Sequence, residues 1–128
     1  MSQQLTDDFA QALQRLESDH DLDAFLRAFA ADVELQRPEQ RQQTERGSEG
    51  AHRFWEAYLQ QFDEVRTDFT RMSAAGNLGV LEWVSEGRLG SGRPITYAGV
   101  SLLTFDDGGQ VARFATYYDT AAFVQATG

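Results

Sequence analysis

Apolar residues recur at helical spacing in the first half of the chain and at strand spacing in the second. Leu5, Phe9, Leu13 and Leu16, with Ala12 filling the stripe, predict a helix that stops around Ser18-Asp-His-Asp21. Leu22, Phe25, Leu26 and Phe29 mark one face of a second helix, with Asp21 placed to cap it. Asp32 to Pro38 reads as a short strand that the proline ends, and Glu39 to Gly47 is polar, a loop or a ragged edge. The third helix has the strongest signal. Ser48 can cap it, and Ala51, Phe54, Trp55, Tyr58, Leu59 and Phe62 recur at i, i+3, i+4, i+7, i+8 and i+11.

After Asp63 the period changes to two. Strands are predicted over Val65 to Ala74, Gly79 to Leu89, Ile95 to Phe105 and Val111 to Tyr118, with turns at Ala75 to Asn77, Gly90 to Pro94 and Asp106 to Gly109. The last hairpin, Tyr97 to Asp119, is too apolar to stand alone and belongs in the middle of a covered sheet. A helical turn from Thr120 to Val124 can follow, capped by Asp119. The order helix-helix-strand-helix-four-strand meander predicts an α+β fold, with three N-terminal helices packed on a strongly curved, mainly antiparallel sheet. Strands this long would curl around the third helix into a conical barrel, open at one end. No repeat, linker or second core is visible, so residues 1–128 read as a single domain.

Composition narrows the chemistry mainly by what it lacks. An apolar fraction of 41%, with nine Phe, four Tyr and two Trp, is that of a globular protein. A formal net charge of −9 argues against nucleic acid and anionic membranes as partners. No apolar run is long enough to span a bilayer and the polar start resembles no signal peptide, so a cytoplasmic location is expected. With no cysteine there is no disulfide, thiolate nucleophile or thiolate metal site. All eleven basic side chains are arginine, which excludes a Schiff-base lysine. His20 and His52 stand apart from any ligand-spaced cluster, so neither a metal nor a cofactor is expected. Gly90-Ser-Gly92 reads as a turn and not a phosphate loop, and Gly99-Val-Ser101 lacks the second glycine of a nucleophile elbow.

The chain resembles the nuclear transport factor 2-like superfamily in its SnoaL-like and ketosteroid-isomerase-like branch. The resemblance is carried by His20 to Val33, Gly47 to Phe54, Leu81 to Gly87, Gly99 to Phe105 and Gly109 to Asp119, in that order over nearly the whole chain. It implies a cone with an apolar pocket between the third helix and the concave sheet, and frequent dimers through the outer face of that sheet. It also implies that chemistry, where present, is done by pocket carboxylates or tyrosines. One fold hosts isomerases, hydrolases, cyclases and carriers, so activity has to be argued from the site.

Residue by residue, the recognised catalysts are missing. Where the resemblance places the general-base Asp of ketosteroid isomerases, before Pro38, this chain has Arg37, which does not deprotonate at working pH. Their oxyanion-hole groups fall near Leu13 and Ser101. The water-activating Arg and Asp residues of limonene-type epoxide hydrolases fall at Trp83, Ser85 and near Thr116. The family's site positions put Leu81, Trp83 and Ser85, Tyr97, Ser101 and Leu103, and Phe114, Thr116 and Tyr118 on the concave face.

Glu82 and Glu86 should point outward, Asp119 reads as a helix cap, and His52 as a surface or rim residue. Trp83 is core or pocket wall, Tyr97 and Tyr118 can satisfy their hydroxyls on backbone, and Arg37 is either a solvated edge residue or a pocket-mouth cation.

The sequence therefore predicts a protein that binds a small apolar or weakly polar molecule. Its expected wall is Arg37, Phe54, Tyr58, Trp83, Ser85, Tyr97, Ser101, Leu103, Phe114, Thr116 and Tyr118. The alternatives are a cyclase- or isomerase-type enzyme with an unrecognised acid/base such as Asp119 or Asp32, and a structural dimerisation module with a filled pocket. A homodimer is expected because Ala98, Val100, Leu102, Ala115 and Tyr117 alternate on the outer sheet face.

Overall fold

A computed structural model describes residues 2–38 and 44–124 of the chain. The elements are α1 (Ser2–Asp19), α2 (Leu22–Leu26), β1 (Phe29–Gln36), β2 (Glu45–Arg46), α3 (Gly47–Gln60), β3 (Phe62–Ala75), β4 (Leu78–Leu89), β5 (Pro94–Phe105), β6 (Val111–Tyr118) and α4 (Ala121–Val124). The six strands form one sheet in the order β2-β1-β6-β5-β4-β3. Only β1 and β6 run parallel, with Leu35 opposite Phe114 and Gln36 opposite Ala115. The sheet curves, with register shifts in β3 between Phe69 and Arg71 that tighten the bend, but it stays open and does not close into a barrel. The predicted α+β architecture is the one observed. No helix among the described residues is long and apolar enough to cross a membrane.

Local chemistry explains the first breaks. His20 takes φ 60 and ends α1, and Asp21 then accepts a hydrogen bond from the Ala24 N–H to start α2. That helix is shorter than predicted. Phe29 is not on its face but opens β1, where its ring still meets Phe25 at 5.3 Å. Phe62 likewise leaves the α3 stripe and opens β3, buried on the same side.

Ser48 does not cap α3. The cap position is Arg46, still extended from β2, and Gly47 turns the chain into the helix at φ 73. Within the polar stretch 39–47, residues 39–43 lie outside the described part. Glu45 and Arg46 form a short edge strand on β1, with Arg46 paired to Glu34.

Two helices share the concave face. α3 lies against β1, while α1, not α3, covers β3 and β4. Phe9, Phe25, Phe29, Trp55 and Phe114 interlock between them, with centroids 4.9 Å apart for Phe25–Trp55 and 5.0 Å for Trp55–Phe114. On the outer face Ala98 is exposed and Val100, Leu102 and Tyr117 are half-buried. Ala115 departs from expectation and is fully buried. Its methyl is shielded by the larger residues paired beside it, Gln36 and Leu102.

Candidate functional site

Alternation along four strands, β3 to β6, brings three rows of side chains to the concave face. The first row is Thr67, Ser85 and Tyr97; the second is Trp83 and Tyr118 on either side of Gly99; the third is Leu81, Ser101 and Thr116. Gly99 makes the second row possible. A Cβ there would stand 2.6 Å from the Trp83 ring and 2.4 Å from the Tyr117 carbonyl oxygen, so only glycine lets the indole cross the strand.

These rows wall a cavity with α1 and α3. Arg37, Phe54, Tyr58, Trp83, Ser85, Tyr97, Ser101, Phe114, Thr116 and Tyr118, all anticipated from sequence, line it together. Leu103 does not line the cavity; it is fully buried in the core, paired with Phe114. Leu13, Trp55, Gln61 and Thr67 complete the wall. Some 460 Å³ of space lies between these side chains and across the mouth, and the part wide enough to admit water is about 40 Å³. Phe123 of α4 packs beside the cavity on Tyr97, with centroids 4.8 Å apart.

The polar groups fall into three sets. Where Ser101 and Thr116 replace family carboxylates, the Trp83 indole N–H donates to the Ser101 hydroxyl at 2.9 Å, and that hydroxyl meets Thr116 at 2.9 Å. This is a neutral chain.

The second set centres on a carboxylate the sequence analysis missed. Glu17 of α1, 6% exposed, accepts from the Tyr58 hydroxyl at 2.6 Å, the Thr67 hydroxyl at 2.6 Å and the Thr67 backbone N–H at 2.8 Å. An ionised carboxylate can only accept, so the Thr67 hydrogen is committed to it. The 2.6 Å contact between Thr67 and Ser85 is then a donation from Ser85. Tyr97 stands beside Ser85 on the next strand and completes this row of the wall. Burial raises the Glu17 pKa above its ordinary value of 4.5 and outweighs these hydrogen bonds, which pull it down. Burial likewise raises the Tyr58 and Tyr97 phenols, so both stay protonated.

The third set is Arg37. Its guanidinium donates to the Phe54 carbonyl at 3.1 Å, lies 3.6 Å from the centre of the Phe54 ring and hydrogen-bonds with Tyr118. It is 9% exposed, so it is no solvated edge residue, and burial lowers its pKa. The Trp55 indole N–H is buried with no acceptor among the described residues.

The carboxylates singled out from sequence are elsewhere. Asp119 is exposed and accepts from the Ala121 N–H, as its cap reading required, while Asp32, Glu82 and Glu86 are exposed. His52 is also exposed. The signal for Glu17 was present in the chain: it stands four residues after Leu13 and one after Leu16, on the buried stripe of α1.

A protein-family model described as the SnoaL-like domain matches residues 8–114. No curated protein matches the chain. Among solved structures, a protein of unknown function from Burkholderia pseudomallei, described as NTF2-like, superposes with a TM-score of 0.80 at 20% identity, covering 94% of this chain and 95% of its own. TerC, co-crystallised with polyporic acid, gives 0.80 at 22% identity, with 94% and 96% covered. SalBIII, an epoxide hydrolase/cyclase-like enzyme of pyran ring formation in salinomycin, gives 0.77 at 13% identity, with 93% and 94% covered. At these identities the likeness is one of fold.

Proposed function

The chain belongs to the SnoaL-like domain family, and on that premise we propose that its cone holds a small, flat, mainly apolar molecule, the wall side chains parting to admit it because the cavity at rest has room for little more than water. The observation that carries this reading is the wall itself: aromatic faces from α3, β4, β5 and β6, interrupted by neutral hydroxyls, with no carboxylate on it among the described residues. The co-crystallisation of TerC with polyporic acid supports it by likeness of fold. Native mass spectrometry of the protein from its own host should show the 14.3 kDa chain carrying a small-molecule mass, lost in Thr116→Phe, which fills the cavity. An adduct retained by a folded Thr116→Phe would place the molecule elsewhere, and a bare wild-type chain would count against the reading.

A second reading, acid–base catalysis of the isomerase or cyclase type, is favoured by Glu17. Asp119 and Asp32 lie outside the cavity, whereas Glu17 reaches the wall through Tyr58 and through the Thr67–Ser85 pair. A proton taken at Tyr58 or Ser85 would pass along hydroxyls to a carboxylate whose pKa burial has raised above its ordinary value. The same reading of the outer sheet face, Val100, Leu102 and Tyr117, extends to a homodimer joined there.

A further inference from the structure

We propose that the molecule held in the cone is an organic anion, its carboxylate or acidic enol oxygens paired with the Arg37 guanidinium. This rests on the cavity being a ligand site and supplies the ligand's charge.

Arg37 follows directly on the last paired position of β1, Gln36 beside Ala115, which sets it abreast of the Thr116–Tyr118 end of β6. Moving a guanidinium out of water costs several kcal/mol unless a counter-charge and hydrogen bonds replace the lost solvation. Among the described residues Arg37 has a carbonyl, a phenyl face and a phenol, all neutral. Five N–H donors in a planar fork meet two oxygen acceptors there and no carboxylate.

The chain has twenty acidic side chains to offer. Among the described residues four arginines do pair with glutamate, and all four pairs lie at the surface, where water would have served them. Glu17, the buried carboxylate of the same region, is taken by Tyr58 and Thr67. Arg37, the buried cation and so the one that most needs a partner, has no carboxylate among the described residues.

A second observation points the same way. The Trp55 indole N–H, on another wall residue, is buried without an acceptor among those residues. The wall thus holds a donor without an acceptor as well as a guanidinium without a carboxylate, both among the described residues. A planar two-oxygen anion matches the guanidinium fork bidentately, and its ring would lie among the aromatic faces. An inorganic anion would satisfy the fork but forfeit its hydration against those rings.

The test is a calorimetric titration with trans-cinnamate and with cinnamamide, its uncharged analogue of the same shape. Wild type should bind the acid at least about tenfold more tightly than the amide. Arg37→Met should bind both with the affinity of the amide and melt no lower than wild type, because it loses a buried charge that had no carboxylate partner. Should Arg37→Met fail to fold, Arg37→Lys should keep the charge, lose the fork and show an intermediate preference. Equal binding of acid and amide by wild type, or a preference that survives in Arg37→Met, overturns the proposal. A lower melting temperature with the preference intact makes Arg37 structural. If wild type binds neither compound, the cavity reading falls too, whereas amide binding without acid preference sinks only the charge.

Discussion

At the scale of single residues, Glu17 is where an amphipathic pattern misleads. A glutamate beside Leu16 reads as the edge of an apolar stripe, because nothing in α1 itself supplies the donors that make its burial tolerable. Those donors come from Tyr58 and Thr67, far along the chain, and only the fold brings them together. Its raised pKa has a defined sign. The native state holds the proton to higher pH than the unfolded chain, so this contribution to stability is full below the ordinary value of 4.5 and is lost as pH rises through the native value. Glu17→Gln removes that dependence. Its melting temperature should gain on wild type as pH rises above the ordinary value of 4.5, and a difference that stays constant with pH would refute the linkage. Glu17→Ala strands the Thr67 N–H and should cost about 1–3 kcal/mol below the ordinary carboxylate pKa, less as pH rises. If the acid–base reading holds, Glu17→Gln should also abolish deuterium uptake at the α-carbon of bound β-tetralone, followed by NMR, without weakening its binding. Uptake that persists would remove Glu17 from the chemistry.

At the scale of elements, the strands were legible because a period of two is strict. Val111 to Tyr118 matches its predicted bounds, and the other three strands differ by a few residues at their ends. The concave rows follow from that alternation once the family's site positions fix its phase. What stayed hidden lacks a pattern: two residues of β2 carry no periodicity, and the start of α3 is set by Gly47, not by a side-chain cap. The β4–β5 pair also has a feature no periodicity reveals, the glycine under Trp83. Gly99→Ala should destabilise the fold by about 2–3 kcal/mol and shift tryptophan emission, since the ring at 2.6 Å and the carbonyl at 2.4 Å must both give way. Unchanged emission and stability would mean that the indole does not lie across the strand.

At the scale of the molecule, the open sheet leaves Val100, Leu102 and Tyr117 half-buried on the face away from the helices. Light scattering at micromolar concentration should report a species of twice 14.3 kDa, and Leu102→Glu should return it to one chain. A wild-type protein of 14.3 kDa alone would end the dimer proposal.

The parallel join of β1 to β6 has, finally, a meaning in time. During synthesis β1 emerges well before its partner. Until Phe114 and Ala115 settle beside Leu35 and Gln36, nothing brings Arg37 to Tyr118. The hollow therefore takes shape only once β6 has been made: a fragment ending short of Tyr118 has no chamber.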